Sequence, residues 1–384
     1  MKIISVVGTR PNFMKIAPFI RAIENHNREA AEKIEHILVH TGQHYDHRMS
    51  QKFFDDLQIP PADIHLGVGS GSHAEQVGHT MIAFEKVVVD ENPDWVVVLG
   101  DVNATLACSI AAKKLRAKCC HIEAGLRSLD MSMPEEINRL VTDRIADLLL
   151  TPDRLSGANL AKEGVPDKQI KFVGNIMIDT LEEQRDTASR LNIHSILQQN
   201  MLRENAAVPA IGEEQYALMT LHRPANVDHR EILHPIIEFL TLEVAAQMPL
   251  IWPIHPRAKK QLENLQLWNS VENAPNMVLL KPLGYHDMLR LNSSARVLLT
   301  DSGGLQEECT VLGTPCLTMR WNTERPITLK DKGGTSVLVG SDVENIRREF
   351  AAALQQPRTP VRPELWDGKT APRCLAAILE PRAH

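Results

Sequence analysis

Lys2-Ile3-Ile4-Ser5-Val6-Val7-Gly8-Thr9-Arg10-Pro11-Asn12-Phe13-Met14-Lys15 opens the chain and reads as a strand passing through a tight turn into a helix. Ile3 to Val7 is a short, nearly continuous apolar run, the pattern of a strand buried on both faces of a parallel sheet. Gly8 permits the turn, and Pro11 suits the first helical position, where its missing N–H leaves no bond unmade. A helical pattern then runs from Pro11 to Ile23. The same alternation continues outward. Ile37 to Val39, Trp95 to Leu99, Cys119 to Ile122 and Phe172-Val173 predict further strands, with helical stretches such as Ala104 to Leu115 between them. Residues from Leu181 to Glu214 are polar and mostly helical, without a strand pattern. A second series follows: Tyr216 to Leu221, Leu250 to Ile254, Met277 to Leu280, Val297 to Thr300 and Cys316 to Met319. Two successive runs of alternating strand and helix predict an α/β protein with two Rossmann-like, doubly wound parallel-sheet domains.

Composition agrees with that division. The 384 residues exceed one ordinary core, since a domain takes roughly 150 residues. Hydrophobic residues at 43% and charged residues at 23% are a globular balance. Lys and Arg number 42 against 48 Asp and Glu, a net charge of −6. That argues against a nucleic-acid binder, whose footprint is a basic domain, but leaves room for local basic pockets that hold phosphate. Cys108, Cys119, Cys120, Cys309, Cys316 and Cys374 form no CxxC pair or disulfide framework and mostly lie in apolar runs; buried free thiols in a reducing compartment are expected. The chain opens as a strand rather than a signal peptide, and no apolar run approaches the roughly 20 residues of a membrane helix. A cytoplasmic protein without a membrane partner is expected. Gly67-Val68-Gly69-Ser70-Gly71 follows no strand and reads as a loop. HExxH, paired-histidine metal spacing and the GxSxG elbow are all missing, so neither a metal nor a cofactor is expected.

In open parallel sheets ligands bind outside the carboxyl ends of the strands, so the residues after each strand carry the functional information. The first strand leads into a helix start with Arg10 and Lys15 nearby, which is either an anion site or a plain turn with two solvated cations. Later strands end in His40-Thr41-Gly42-Gln43-His44, in Gly100-Asp101-Val102-Asn103 and in His121-Ile122-Glu123-Ala124-Gly125-Leu126-Arg127; Met133-Pro134-Glu135-Glu136-Ile137-Asn138-Arg139 comes soon after. Asp101, Glu123 and Glu135 are thus expected along one edge with Arg10, Lys15, Arg127 and Arg139. A lone acid at a strand end is usually a helix cap or ion-pair partner, and structural pairing would account for one or two of these. The second series ends its strands in Leu221-His222-Arg223-Pro224, Ile254-His255-Pro256-Arg257 and Asp301-Ser302-Gly303-Gly304-Leu305-Gln306-Glu307-Glu308. There Ser302 opens a helix, Gly303 and Gly304 let backbone N–H groups approach a phosphate, and Glu308 lies a turn further on, in reach of ribose hydroxyls. Of the 16 histidines, His222, His255 and His44 stand where chemistry is expected.

Taken in order, Gly8 to Pro11, His121 to Arg127, Pro134 to Arg139, His222-Arg223, Asp301 to Glu308 and Met319 to Pro326 (MRWNTERP) resemble the non-hydrolysing UDP-N-acetylglucosamine 2-epimerases across nearly the whole chain. The resemblance implies a GT-B-like fold, two Rossmann-like domains facing a central cleft that holds the nucleotide-sugar, and a homodimer. It implies that Arg10, His222, Ser302, Gly303, Glu308 and Arg320 hold UDP, that Asp101, Glu123 and Glu135 surround the sugar, and that Lys15, Arg139 and His222 are further active-site residues. Some relatives carry a second, activating UDP-GlcNAc site, with which Gln43, His44, Glu136, Arg223 and His255 align, although Asp46 replaces a glutamine there. Other departures are Asn12 for an acid after Arg-Pro, Val102-Asn103-Ala104 for a threonine run, and Ile327 for an acid after Glu-Arg-Pro. The expected domains are residues 1–178 rejoined by a C-terminal helical segment at 366–384, carrying the sugar-facing acids, and residues 179–365, carrying the UDP site.

The chemistry this resemblance implies is UDP elimination to 2-acetamidoglucal and re-addition with a proton on the opposite face, feeding cell-surface polysaccharide. Rival expectations are an epimerase of a modified UDP-2-acetamido sugar, a hydrolysing 2-epimerase, a GT-B glycosyltransferase, which would need an acceptor, and a nucleotide-sugar sensor without turnover.

Overall fold

A computed structural model of the chain describes residues 1–42, 54, 56–203 and 208–380. They form two compact units, Met1–Glu183 with Pro363–His384, and Gln184–Arg362.

In the first unit the strands are β1 (Lys2–Val7), β2 (Glu35–His40), β3 (Ile64–His65), β4 (Trp95–Leu99), β5 (Lys118–Ile122), β6 (Leu148–Thr151) and β7 (Ile170–Phe172). They make a 7-stranded sheet of order β3-β2-β1-β4-β5-β6-β7 in which every pairing is parallel. Ser5 of β1 pairs with Leu38 on one side and Val97 on the other. Val96 to Leu99 are wholly buried, because helices cover both faces of the sheet. The second unit has β8 (Ala217–Thr220), β9 (Leu250–Pro253), β10 (Met277–Leu280), β11 (Val297–Thr300), β12 (Cys316–Thr318) and β13 (Ser336–Leu338). Its 6-stranded parallel sheet has the order β10-β9-β8-β11-β12-β13.

The fold class is the one the alternating pattern predicts, with three additional strands. β6 follows the helix Pro134–Ile145 after two residues, without a glycine or proline stop, so its apolar residues blend into the helical pattern. β3 has only 2 residues and β13 only 3, too few to show a period.

Each sheet has one reversal of strand order. The chain moves outward from β1 to β3 and returns to the other side of β1 with β4; it does the same from β8 to β10 and back with β11. These reversals, where adjacent connections leave in opposite directions and open a crevice, are where ligands of such sheets bind.

The C-terminal segment is bound into the first unit by specific contacts. The buried Trp366 donates from Nε1 to the Pro152 carbonyl at 3.0 Å. Asp179 caps the last helix, Thr370–Leu379, by accepting from the Thr370 and Ala371 amides at 2.9 and 2.7 Å. The six cysteines are buried and unbridged. Among the described residues no helix is long and apolar enough to cross a membrane.

Candidate active site

At the first reversal, β1 ends in Gly8 and Thr9, and Thr9 caps the helix Arg10–Glu29. Asn12, almost wholly buried, accepts at Oδ1 from the Gly8 and Thr9 amides at 3.2 Å each and donates from Nδ2 to the Leu99 carbonyl at 2.9 Å. Lys15, nearly a turn further along the helix, forms a buried ion pair with Glu123. Glu123 has φ 77, a left-handed conformation that side-chain-bearing residues rarely take. Its amide and that of Ala124 both donate to the Leu150 carbonyl at 3.0 Å, which holds this turn in place. Strained backbone over-determined by its surroundings clusters at functional sites. Gly100, at φ +65, passes directly beside the pair: a Cβ there would stand 2.8 Å from Lys15 Nζ and 3.2 Å from Glu123 Oε2.

Asp101 pairs with Arg139, and its carbonyl accepts from Asn138 Nδ2 at 2.8 Å. Arg139 also donates from Nε and Nη2 to Glu136 Oε2 at 2.9 and 2.6 Å. Burial would raise the Glu136 carboxyl, but the Ser128 and Leu129 amides and Arg139 together hold it below the ordinary range. Glu135, half-buried at the start of the helix Pro134–Ile145, has no hydrogen-bond or ion-pair partner among the described residues. The three acids thus differ in support: Lys15 backs Glu123, Arg139 backs Asp101, and neither backs Glu135.

Behind this edge lies a residue that sequence reasoning missed. Asp143 Oδ1 meets His121 Nδ1 at 2.7 Å, while Oδ2 accepts from the Gly125 amide at 3.0 Å and Arg127 Nη1 at 2.7 Å. Burial opposes ionisation of Asp143, yet His121 and Arg127 hold its carboxyl below the usual range. The other ring nitrogen of His121 lies 2.7 Å from the Gly100 carbonyl, which only accepts, so that nitrogen carries a proton. Asp143 lies inside a helix away from any strand end, so the strand-end rule had no means of selecting it. Arg127 is engaged by Asp143 and, through Nε and Nη2, by Glu163 at 2.8 and 2.7 Å, so it braces the loop instead of joining the acids as an open cation.

At the second reversal, Asp301 follows β11 and is fully buried. Its carboxylate accepts from the His222 and Arg223 amides at 3.0 and 2.7 Å and from Asn226 Nδ2 at 3.2 Å, and it faces His222 Nδ1 at 2.8 Å. Burial works against the charge, but the His222 imidazole and the two amides bring the carboxyl down to about 2. With Nδ1 taken by Asp301, His222 keeps Nε2 for a ligand, and its side chain is 38% exposed. The His255 ring lies 5.4 Å from that of His222 and accepts from the Arg257 amide at 3.1 Å. Asp301 was within a singled-out motif but had no assigned role; an acid immediately after a central strand was the available signal.

Ser302 precedes the helix Gly303–Leu312 and makes no side-chain capping bond, which leaves the hydroxyl and the first-turn amides, including Gly304, available to an anion. A Cβ on Gly303 would lie 2.8 Å from Glu324 Oε1 and 2.6 Å from Arg325 Nη1, so a larger residue would displace this buried pair. Glu308 is buried as well; desolvation pushes its carboxyl up to about 7, against the Tyr285 hydroxyl and Asn292 amide. Arg320 is not an open cation: Nη2 donates to Glu324 Oε2 at 2.7 Å. Glu324 also pairs with Arg325, whose Nε meets Glu307 Oε1 at 2.9 Å. Burial notwithstanding, Arg325, Arg320 and Arg223 hold the Glu324 carboxyl far below the ordinary range.

Of the remaining expected residues, Gln43 and His44 lie outside the described residues, and of Arg10 only the backbone, opening its helix, is described. Glu136 is committed to Arg139 and the Ser128 loop. Arg223 donates from Nε to the Asp301 carbonyl at 2.9 Å. Chemically, the first edge offers carboxylates and a lysine for proton transfer. The second offers an imidazole, a hydroxyl and helix-end amides for an anion.

Comparison with known proteins points the same way. The family profile described as UDP-N-acetylglucosamine 2-epimerase matches residues 26–379. The UDP-N-acetylglucosamine 2-epimerase of Methanocaldococcus jannaschii is 38% identical over 381 residues, covering 98% of this chain and 99% of its own. The UDP-2,3-diacetamido-2,3-dideoxy-D-glucuronate 2-epimerase of Pseudomonas aeruginosa is 36% identical over 365 residues, covering 92% of this chain and 94% of its own. The crystal structure of the M. jannaschii enzyme in complex with UDP-GlcNAc and UDP superposes with a TM-score of 0.88 at 37% identity, covering 98% of this chain and 99% of that one.

Proposed function

The chain belongs to the UDP-N-acetylglucosamine 2-epimerase family, and on that premise we propose that it is a non-hydrolysing isomerase that interconverts UDP-GlcNAc and UDP-ManNAc. The carrying observation is the acid set at the β1–β4 reversal, with Glu123 in a left-handed turn beside Lys15, Asp101 beside Arg139, and Glu135 without either. A sugar transferase or a sensor has no need of three acids so arranged.

The C2 proton of the sugar is a poor acid, so its removal must be assisted by departure of the diphosphate from C1. One carboxylate takes that proton as the C1–O bond breaks, giving 2-acetamidoglucal and UDP. UDP then re-adds while a carboxylic acid delivers a proton to the opposite face. Asp101, Glu123 and Glu135 serve these transfers, with Lys15 and Arg139 holding the first two. His222, the Ser302–Gly303–Gly304 helix start, Arg10 and Arg320 serve the leaving diphosphate, where preorganised donors stabilise developing charge. Glu308 accepts from the ribose. The enzyme works as a cytoplasmic homodimer supplying ManNAc units for surface polysaccharide. A second UDP-GlcNAc, bound through Gln43, His44, Glu136, Arg223 and His255, activates it; progress curves that do not respond to added UDP-GlcNAc would remove that part.

A modified UDP-2-acetamido sugar is the second reading, supported by the similarity to the diacetamido-glucuronate epimerase. Incubation with UDP-GlcNAc in heavy water, followed by NMR, separates the possibilities. UDP-ManNAc carrying deuterium at C2, with little free sugar, is expected. Free ManNAc would indicate a hydrolase. Unchanged UDP-GlcNAc alongside epimerised UDP-diacetamido-glucuronate would move the assignment to the second reading, and no turnover of either would favour a transferase or sensor.

A further inference from the structure

Asn138 and Arg139 are consecutive residues of the helix Pro134–Ile145, and both reach Asp101, from 37 and 38 positions away. Arg139 pairs with the Asp101 carboxylate, and Asn138 Nδ2 donates to the Asp101 carbonyl at 2.8 Å. One short stretch of helix thus holds Asp101 by its side chain and by its backbone. Glu135 lies one turn earlier on the same helix. Asn138 is 4% exposed, and its amide also donates to Asn103 Oδ1 at 3.3 Å. The Asn103 nitrogen donates in turn to Gln76 Oε1 at 2.8 Å, in the helix His73–Glu91, and meets His73 Nδ1 at 3.1 Å. These amides run in one direction, each giving from nitrogen to the next oxygen. At the Asp101 end the chain faces a carbonyl, which only accepts, so the group there must donate.

We infer that Asn138 is a positioning residue for proton transfer: its amide straps the Asp101 backbone to the helix that carries Glu135, and so sets the placement of these two acids relative to each other. Arg139 does not do this alone. An ion pair survives a shift of the turn beneath it, because both side chains rotate to follow. A bond to the carbonyl fixes the peptide from which the carboxylate projects. An ionised aspartate at position 138 has the same shape as asparagine but accepts only. It would set an oxygen against the Asp101 carbonyl and offer Arg139 a second carboxylate in competition with Asp101. Both effects displace Asp101 relative to Glu135, while His222 and the Ser302 helix start, on other elements, keep their places.

The proposal rests on the epimerase reading, so turnover by the unaltered enzyme is measured first. Asn138→Asp is then expected to lower kcat by about tenfold to a hundredfold, the scale on which a small misplacement of a reacting group acts, with KM and UDP affinity within about threefold. Gln76→Leu cuts the same chain of amides at its far end, where the lost bond does not reach Asp101, and is expected to keep kcat within about threefold. A kcat for Asn138→Asp within about twofold of the unaltered enzyme would overturn the proposal, as would parallel losses of kcat and UDP affinity in that variant. An equal loss of kcat in Gln76→Leu would also overturn it, since the amides would then support the fold at large. Should Asn138→Asp fail to fold, Asn138→Ala, which is uncharged and favours a helix, is judged by the same limits. If the unaltered enzyme turns over neither UDP-sugar, the epimerase reading falls and the strap is judged by hydrogen exchange. The Gly100 and Thr105 amides bracket Asp101 and donate to the Ile122 and Val102 carbonyls at 3.1 and 2.9 Å. They should then exchange at least about tenfold faster in whichever Asn138 variant folds; unchanged exchange refutes the strap itself.

Discussion

The two loop edges are built on the same reversal of strand order but carry opposite arrangements of charge. In the Arg139–Asp101 pair of the first unit the cation lies inside and the acid toward the surface: the Arg139 side chain is 1% exposed and that of Asp101 is 24% exposed. In the second the order is inverted, with the Asp301 side chain 0% exposed and that of its partner His222 38% exposed. A buried charge must be paired, and in these two pairs the partner of the interior charge is the group presented outside. An interior arginine presents a carboxylate, the group needed to move protons. An interior aspartate presents an imidazole, beside helix-end amides suited to an anion.

The largest expected effect tests the first edge. Asp101→Asn, Glu123→Gln and Glu135→Gln should each lower turnover by about 10² to 10⁴, the usual contribution of a positioned proton-transfer group, while UDP affinity measured by calorimetry stays within about threefold. Near-normal rates in all three variants would erase the distinction between a proton edge and an anion edge.

The second edge should reveal its interior acid through pH. The folded carboxyl of Asp301 is held to about 2, below the value near 3.9 of an unfolded aspartate. The resulting stabilisation, about 2 kcal/mol, is fully present above pH 4 and is lost as pH falls toward 2. Urea unfolding between pH 7 and pH 3 should show this component in the unaltered protein and lack it in Asp301→Asn. Parallel curves would mean that Asp301 is not the anchor.

Glu308 should give a pH effect of opposite sign. Its folded carboxyl is raised to about 7, above the unfolded value near 4.3, so folding favours the protonated form and stability declines as pH rises from about 4 to 7. Glu308→Gln should therefore be more stable than the unaltered protein at pH 8, with little change at pH 4, while weakening UDP binding about threefold or more. Thermal unfolding at the two pH values checks the first part and calorimetry the second. A destabilised variant at pH 8 would show that the carboxylate is favourably held despite its burial.

Legibility in the sequence followed length and burial. Runs such as Trp95 to Leu99 were readable because a strand covered on both faces must be apolar throughout. β6 was not, because its leucines directly continue the preceding helix, and β3 and β13 were too short to show a pattern. At the edges, Asp101, Glu123 and His222 were recognisable as polar residues just past apolar strands. Asp143, inside a helix, was not, nor was the engagement of Arg127 and Arg320 by Asp143, Glu163 and Glu324, because a charged residue looks the same in sequence whether open or paired.

The sequence by itself determined the alternation of strand and helix, the two doubly wound sheets, and the chemical types gathered at the strand ends, since these follow from local periodicity and residue identity. Tertiary structure alone decided the partners. Lys15 meets Glu123 across 108 positions, Arg139 meets Asp101 across 38, and the His222 amide reaches the Asp301 carboxylate across 79. Such pairings arise because the strand order places β1 beside β4, β4 beside β5, and β8 beside β11, and only that adjacency determines which buried charge neutralises which.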